Sequence, residues 1–225
     1  MRYYPVYLDI NDRKCVVVGG GAVGARKVNT LLACGARVTV ISPEAAAELE
    51  VLAEQGRIEL IRRPYQSSDL DGAFMVIGAT DEEAINHRVH ADAEERNLLC
   101  NIADQPRVCN FILPSIIQRG DLVIAVSTSG RSPAFAKKLR KELERQFGDE
   151  YAVFLMLLGA IRTKLLAEDH APEAHKPLFE ALIDTDLLEM IRDRRTDEVN
   201  RILKEILGTG FTLESLIGNI SQPTD

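Results

Sequence analysis

The sequence predicts an α/β protein whose sheet is mostly parallel. Short apolar runs rich in valine and isoleucine alternate with amphipathic stretches through the first half of the 225-residue chain. A glycine motif stands between the first apolar run and the first amphipathic stretch. Strands and helices in this alternating order form parallel sheets that helices cover on both faces.

The first predicted strand and helix flank the glycine motif. Residues 14–18 form a short β-branched run, which favours a buried parallel strand. Residues 22–34 have the apolar spacing of a helix, and Gly35 stands where a C-cap is expected. The elements predicted next are strands at 37–41, 57–61, 74–77 and 98–102, a helix that opens at Pro43, and a helix over 82–96 that Thr80 or Asp81 caps.

Two more strand candidates, 111–113 and 122–126, follow the main sheet. A strand outside that sheet presents an unpaired edge, so it needs a partner. We expect the strand at 122–126 to pair with a second copy of the chain. This makes residues 114–147 the predicted dimerisation region of a homodimer.

From residue 132 onwards the sequence predicts helices alone. A basic amphipathic helix spans 133–147 and a strongly apolar one spans 151–166. The tail 221–225 is expected to be disordered. The predicted organisation is an α/β domain over 1–113, the dimerisation region over 114–147 and a helical C-terminal domain over 148–225.

The composition excludes several classes of protein. Hydrophobic residues make up 46% and charged residues 27% of the chain, as in ordinary soluble proteins. No apolar run approaches the ~20 residues of a membrane-spanning helix, and the start of the chain lacks the apolar core of a signal peptide. The net charge of −7 argues against nucleic acid as a partner. The four cysteines are scattered without a CxxC pair, so we expect a cytoplasmic protein with no metal site.

The glycine motif matches G-x-G-x-x-G, with Gly19, Gly21 and Gly24 in its three slots. The first glycine allows a tight turn, the second lets a pyrophosphate approach the backbone, and the third lets the helix pack on the strand. The helix start at Ala22 and Val23 would face the phosphates with free N–H groups. Because the motif follows a strand and opens a helix, it predicts a Rossmann-type dinucleotide site. The alternative is a glycine-rich turn that binds nothing.

The end of the second predicted strand bears on the choice of dinucleotide. An acidic residue is expected there to bind the ribose hydroxyls. Ser42 stands at the strand end and Glu44 two residues later, and no arginine follows at once to receive a 2′-phosphate. The sequence therefore favours NAD over NADP, although Glu44 is equally well explained as an exposed residue in the first turn of a helix.

Several segments in order resemble the precorrin-2 dehydrogenases, a family that includes the N-terminal module of bacterial siroheme synthase and its fungal counterpart. The resemblance covers at least residues 3–147, and the chain resembles the stand-alone form. Beyond about residue 150 it is only to a helical tail of similar length. The segments are 4–8 (YPVYL), 17–27 (VVGGGAVGARK), 77–81 (IGATD), 100–104 (CNIAD), 111–115 (FILPS) and 125–133 (AVSTSGRSP).

The resemblance implies oxidation of precorrin-2 to sirohydrochlorin, with the hydride passing to NAD. Some members also insert Fe²⁺ to give siroheme, which would make the ferrous ion a second substrate. Asp104 matches the family's catalytic aspartate, and it follows the predicted strand 98–102, where parallel sheets place their ligands. Without the resemblance, Asp104 fits a simple turn equally well. Asn101 and Thr80 are the next candidates for cofactor binding, although Thr80 could serve only as a helix cap.

Candidate substrate ligands lie further along the chain. Ser127, Thr128, Ser129 and Gly130 form a small polar loop before a helix N-terminus, which suits a carboxylate. Precorrin-2 is rich in carboxylates, and the cationic side chains expected to pair with them are Arg107, Arg131 and Lys137. Many relatives carry serine at position 128, and Thr128 keeps the hydroxyl. The remaining basic residues of 138–145 are better explained as a solvated helix face.

Two other functions fit the dinucleotide site. An NAD-sensing regulatory module without catalysis shares the glycine motif and dimerises, but it should lack the segments between residues 100 and 133. An NAD oxidoreductase acting on an ordinary alcohol or amino acid should show a conspicuous histidine, lysine or tyrosine base in the second half. The second half of the sequence shows none.

Overall fold

The structure, a computed structural model, describes residues 3–103, 105–167 and 172–218. It divides into two units, with the boundary between Leu113 and Pro114. The predicted disordered tail lies outside the described residues. The elements of the first unit are β1 (Lys14–Gly20), α1 (Ala22–Ala33), β2 (Arg37–Ala45), α2 (Ala47–Glu54), β3 (Glu59–Ile61), a 3₁₀ turn (Ser67–Leu70), β4 (Met75–Gly78), α3 (Glu83–Glu95) and β5 (Leu99–Ile102).

The first unit is built on a five-stranded sheet in the order β3-β2-β1-β4-β5, and all neighbouring strands are parallel. Successive side chains of β1 enter opposite cores, since Val17 packs with α1 and α2 whereas Val16 and Val18 pack with α3. The chain leaves β1 first towards β2 and later towards β4. This reversal places a crevice beyond the carboxyl ends of β1 and β4, and it confirms the predicted α/β class.

The second strand is longer than the sequence predicts. It continues through Ala45, which pairs with Gly20 across an irregularity in the register, and α2 begins only at Ala47. The backbone N–H of Ala46 donates to the carbonyl of Gly20 at 2.8 Å. The prediction that Pro43 opens a helix is therefore wrong, because pairing with the glycine loop keeps residues 42–45 extended.

The second unit begins with a hairpin and continues as helices. Its elements are β6 (Ser115–Arg119), β7 (Leu122–Val126), α4 (Pro133–Gln146), α5 (Glu150–Ala167), α6 (Pro172–Ile183), α7 (Leu187–Arg192), α8 (Thr196–Leu207) and α9 (Leu213–Ile217). Helices α5 to α9 share one apolar core around Leu157, Ile161 and Leu203. None of the helices in the described part of the chain is long and apolar enough to cross a membrane.

The strand predicted at 122–126 has its partner in the same chain. It is β7, and it pairs antiparallel with β6 around Gly120, which has a φ of +54°. Ile117 of β6 is 1% exposed and packs with Val126 and with α4. Strand β7 therefore does not need a second copy of the chain as its pairing partner. The strand expected at 111–113 is absent from the described elements.

The loop between β3 and β4 is anchored by Asp69, whose side chain is only 5% exposed. Its carboxylate accepts hydrogen bonds from both terminal nitrogens of Arg63, at 2.9 and 2.5 Å, and from the backbone N–H of Gln66 at 2.8 Å. The hydrogen bonds from Arg63 outweigh the effect of burial and hold the pKa of Asp69 below its ordinary value. The charged form of this carboxylate is thus part of the folded structure.

Asp69→Asn should lower the free energy of unfolding by about 2 kcal/mol at neutral pH, because hydrogen bonds to a charged group are lost. The pKa of Asp69 is lowered in the folded state. The wild type is therefore more stable than the variant above the ordinary aspartate pKa of about 4, and this difference in unfolding free energy disappears as the pH falls through the lowered pKa. Urea unfolding at pH 7 and pH 3 measures both values, with the exposed Asp71→Asn as control. If wild type and Asp69→Asn differed in unfolding free energy by the same amount at both pH values, the charge of Asp69 would not be what stabilises the fold.

Candidate functional site

A cleft of about 800 Å³ lies in the first unit at the carboxyl ends of β1, β2 and β4. Open parallel sheets bind their ligands at this place, where the chain reverses direction across the sheet. The cleft is lined by residues 19–23, 42–46, 79–82 and 103. Of the residues predicted to bind a cofactor, it brings together Gly19, Gly21, Ala22, Val23, Ser42, Glu44 and Thr80.

The three glycines of the motif occupy different surroundings. Gly19 has a φ of +115°, and a Cβ there would overlap the backbone of Ala79 and Thr80. A Cβ on Gly24 would overlap the carbonyl oxygen of Gly19, so α1 packs directly on the turn. A Cβ on Gly21 would meet nothing within 4 Å, because this glycine faces the open cleft. Gly21 thus leaves backbone accessible at the point where the motif is expected to admit a pyrophosphate.

Gly20 is also essential to the shape of the loop, although it fills no slot of the motif. A Cβ there would overlap the carbonyl oxygen of Glu44. Its N–H donates to the buried hydroxyl of Ser42 at 2.9 Å. Ser42 therefore ties the glycine loop to β2, and its hydroxyl hydrogen remains able to donate towards the cleft. The motif carries no signal for this contact, since Gly20 stands at a variable position.

The N-terminus of α1 opens on the cleft without a cap. Gly21 is the N-cap residue and has no side chain that could accept a hydrogen bond from the first turn, and that turn contains no acidic residue. The backbone N–H groups at Ala22 and Val23 line the cleft together with the positive end of the helix dipole. An uncapped helix start beside an open glycine fits the pyrophosphate of a dinucleotide.

A turn over residues 78–82 forms another wall of the cleft. The N–H of Ala79 donates to the carbonyl of Val18 at 2.7 Å, which ties the turn to β1. The hydroxyl of Thr80 accepts from the N–H of Glu82 at 3.1 Å, and the carbonyl of Thr80 accepts from the amide of Asn86 at 2.8 Å. The N-cap of α3 is Glu82, so the predicted capping by Thr80 or Asp81 is wrong. The role of Asn86 was missed because its position in the helix gives no sign of it.

The charged residues that line the cleft are acidic. They are Glu44, Asp81 and Glu82, and the described lining includes neither lysine nor arginine. Glu44 belongs to β2, so it is not a first-turn helix residue. A 2′-phosphate on the ribose would meet carboxylates without a cation to balance it, and this disfavours NADP relative to NAD.

The segment after β5 is fastened to the outer edge of that strand. The amide of Asn110 accepts from the N–H of Cys100 at 2.8 Å and donates to the carbonyl of Leu98 at 2.7 Å. The amide of Asn101 donates to the carbonyl of Phe111 at 3.1 Å, and Asn101 is not among the cleft residues. Asp104 lies outside the described residues, whereas the preceding Ala103 lines the cleft. Arg107, on the same segment, is exposed.

The buried cysteines behave as packing residues. Burial raises the pKa of Cys15 to about 11 and that of Cys100 to about 12. Burial also raises the pKa of Cys109, whose sulfur accepts a hydrogen bond from the N–H of Ile102 at 3.2 Å. These thiols stay protonated at neutral pH, which disfavours a role as nucleophile.

The loop predicted to bind substrate carboxylates lies in the second unit. The hydroxyl of Ser127 accepts from the N–H of Ser129, and that of Thr128 accepts from the N–H of Ser132, both at 3.1 Å. Ser132 caps α4 by accepting from the N–H of Phe135. These three N–H groups are therefore already engaged within the loop and the helix cap. Hydroxyl hydrogens, the backbone at Gly130 and the exposed cations of Arg131 and Lys137 remain as donors.

Two family models match the chain. One, NAD_binding_7, is named for NAD(P) binding and matches residues 6–115. The other, described as sirohaem biosynthesis protein central, matches residues 119–146. Together they cover most of the first unit, β7 and α4, and residues 116–118 of β6 lie between the two matches.

Curated relatives and a solved structure extend the similarity along the chain. The siroheme synthase of Thioalkalivibrio sulfidiphilus is 36% identical over 98% of this chain, and that of Nitrosococcus oceani is 33% identical over 95%. The chain spans under half of these relatives, 45% and 46% of their lengths. The structure of SirC, precorrin-2 dehydrogenase, is 26% identical, with a TM-score of 0.76, over 91% of this chain and 98% of that one. The similarity thus extends into the helical region beyond residue 150, although the last matching sequence segment ends at residue 133.

Two glycine substitutions should separate binding from folding. Gly21→Ala should leave the melting temperature close to that of the wild type and weaken NADH binding by about tenfold, because its methyl group enters the cleft. Gly24→Ala should lower the free energy of unfolding by about 1–3 kcal/mol, because its methyl group meets the Gly19 carbonyl.

Calorimetric titration with NADH and thermal unfolding measure both effects. Gly159→Ala is the matched control, since its Cβ would meet nothing within 4 Å in α5 and its side chain lies in the other unit. Unchanged NADH affinity in Gly21→Ala would show that this glycine does not border the ligand.

Proposed function

The chain belongs to the family of siroheme synthases and precorrin-2 dehydrogenases, and on that premise we propose that it catalyses the NAD-dependent oxidation of precorrin-2 to sirohydrochlorin. The observation that carries the proposal is the cleft beside Gly21, where an uncapped helix start meets an open glycine. The similarity to SirC, precorrin-2 dehydrogenase, over 91% of this chain and 98% of that one supports the reaction.

NAD is the proposed cofactor. The backbone N–H groups at Ala22 and Val23 hold its pyrophosphate, while Ser42 and Glu44 hold the ribose hydroxyls. Thr80, which lines the cleft, is proposed to complete the cofactor site. Asn101 lies outside the described lining, and it is proposed to act on the site only by holding the segment after β5. When bound, NAD⁺ supplies the acceptor for the hydride that leaves a ring carbon of the substrate. The acidic lining at Glu44, Asp81 and Glu82 supports NAD rather than NADP.

Asp104 is the proposed base. Removal of a hydride from the macrocycle is accompanied by loss of a proton, and a carboxylate near the reacting carbon accepts that proton. The support for this assignment is the matching family segment at 100–104 and the position of the preceding Ala103 in the cleft wall. The Asn110 amide, which accepts from Cys100 and donates to Leu98, and the Asn101 amide, which donates to Phe111, fasten the segment that follows to β5.

Cations and hydroxyls are proposed to bind the carboxylates of precorrin-2. The cationic residues are Arg107, Arg131 and Lys137, which are all exposed. The hydroxyls come from Ser127, Thr128 and Ser129, beside Gly130, which has a φ of +78°. Each guanidinium can form two parallel hydrogen bonds with one carboxylate. Insertion of Fe²⁺ into sirohydrochlorin is proposed as a second step, in which the ferrous ion is a substrate and the pyrrole N–H protons are released.

A homodimer in the cytoplasm is the proposed setting. Large apolar side chains stay exposed between residues 114 and 147, where Ile116 is 42% and Phe135 is 55% exposed. Apolar surface of this kind favours association with a second copy. The cysteines are free thiols, which suits a reducing compartment.

Anaerobic incubation with precorrin-2 and NAD⁺ should yield NADH and the absorption spectrum of sirohydrochlorin. Asp104→Ala should lower kcat by about 100-fold or more while NADH affinity changes by less than about twofold, because a base acts on the proton and not on the cofactor. Asp197→Ala, an exposed carboxylate of the second unit, is the control.

The outcomes separate the competing functions. Binding of NADH without turnover of precorrin-2 would identify a regulatory nucleotide sensor and overturn the proposed reaction. Turnover by Asp104→Ala at the wild-type rate would overturn the assignment of the base alone. Adding Fe²⁺ to sirohydrochlorin with and without the protein tests the chelation step separately.

A further inference from the structure

Asn86 is a buried polar residue on the face of α3 that packs against the sheet. The residue is 5% exposed, and its neighbours on this face, Val89 and Ala93, are apolar and fully buried. Its amide nitrogen donates to the carbonyl of Thr80 at 2.8 Å. Its amide oxygen is buried, and within the described part of the chain no donor reaches it.

This arrangement is unfavourable for packing alone. A buried amide oxygen without a donor destabilises a fold, and leucine has a similar size without that cost. Gly78, the last residue of β4, lies beside this amide, and a Cβ there would lie 2.6 Å from the Ile102 side chain and 2.9 Å from the Asn86 amide oxygen. The hydrogen bond described for this buried amide goes to the turn that lines the cleft.

The turn held by Asn86 determines where the glycine loop can lie. Residues 79 and 80 pack on Gly19 so closely that a Cβ there would overlap their backbone. Ala79 and Thr80 also line the cleft beside Gly21 and Ala22. A shift of the Thr80 carbonyl would therefore move both the cleft wall and the loop that faces the cofactor phosphates.

We propose that Asn86 is a positioning residue for dinucleotide binding. Its amide holds the Thr80 carbonyl, in the peptide between residues 80 and 81. This fixes Thr80, and with it the preceding peptide that packs on Gly19, and keeps the cleft shaped for the cofactor. Asn86 itself does not line the cleft, so it acts through Thr80. The inference rests on the proposed binding of NAD in this cleft.

The test uses the full chain, NADH as the probe, and two variants that remove the donor. Asn86→Leu and Asn86→Asp should each weaken NADH binding by about fivefold, the equivalent of one net hydrogen bond. Val89→Ala is the matched control, because it opens a cavity on the same helix face without touching the turn. It should lower the melting temperature and leave the dissociation constant for NADH unchanged.

The outcomes are distinguishable. If Asn86→Asp fails to fold, Asn86→Leu still gives the binding constant. NADH affinity in Asn86→Leu within about twofold of the wild type would overturn the positioning role. An equal loss of affinity in Val89→Ala would also overturn it, since general loosening of α3 would then explain the effect. Failure of the wild type to bind NADH or NAD⁺ would overturn the cofactor assignment and this inference together.

Discussion

The contact between Gly19 and the backbone of Ala79 and Thr80 is the constraint on which the candidate site depends. Parallel neighbours β1 and β4 end side by side, and their following turns meet with no space for a Cβ. Because Gly19 can adopt a φ of +115°, the chain turns there and α1 starts directly above the switch in strand order. Gly24 then packs on the Gly19 carbonyl, so the helix start, the turn and β4 form one backbone-packed unit.

Hydrogen bonds extend this packing to the remaining walls of the cleft. The Ser42 hydroxyl and the Ala46 N–H hold the two polar groups of Gly20, so the end of β2 moves with the glycine loop. The Asn86 amide does the same for the turn at Thr80. The result is a cleft with an uncapped helix start at α1 and, among its described lining residues, carboxylates. These two features match a dinucleotide that is anionic at its phosphates and neutral at its ribose hydroxyls.

Local patterns were sufficient to predict the sheet, because each strand of the first unit is a short apolar run and the glycine motif lies between a strand and a helix. They were not sufficient for the ends of elements that depend on distant partners. Residues 42–45 stay extended because Ala45 pairs with Gly20, which overrides the preference of Pro43 for a first helical turn. Ile116 and Ile117 form β6 only in combination with β7, and Asn86 shows its role only when Thr80 is near. The assignment of Asp104 comes from family resemblance and stays a prediction.

A crystal structure of the chain with NAD⁺ bound would decide whether the cofactor lies at the start of α1. In that structure, pyrophosphate oxygens should accept hydrogen bonds from the N–H groups at the start of α1, with the Gly21 Cα in contact with the phosphates. The ribose hydroxyls should lie within hydrogen-bond distance of Ser42 or Glu44. A pyrophosphate bound away from the α1 N-terminus, with the backbone of Gly21 open to solvent, would contradict this placement of the cofactor.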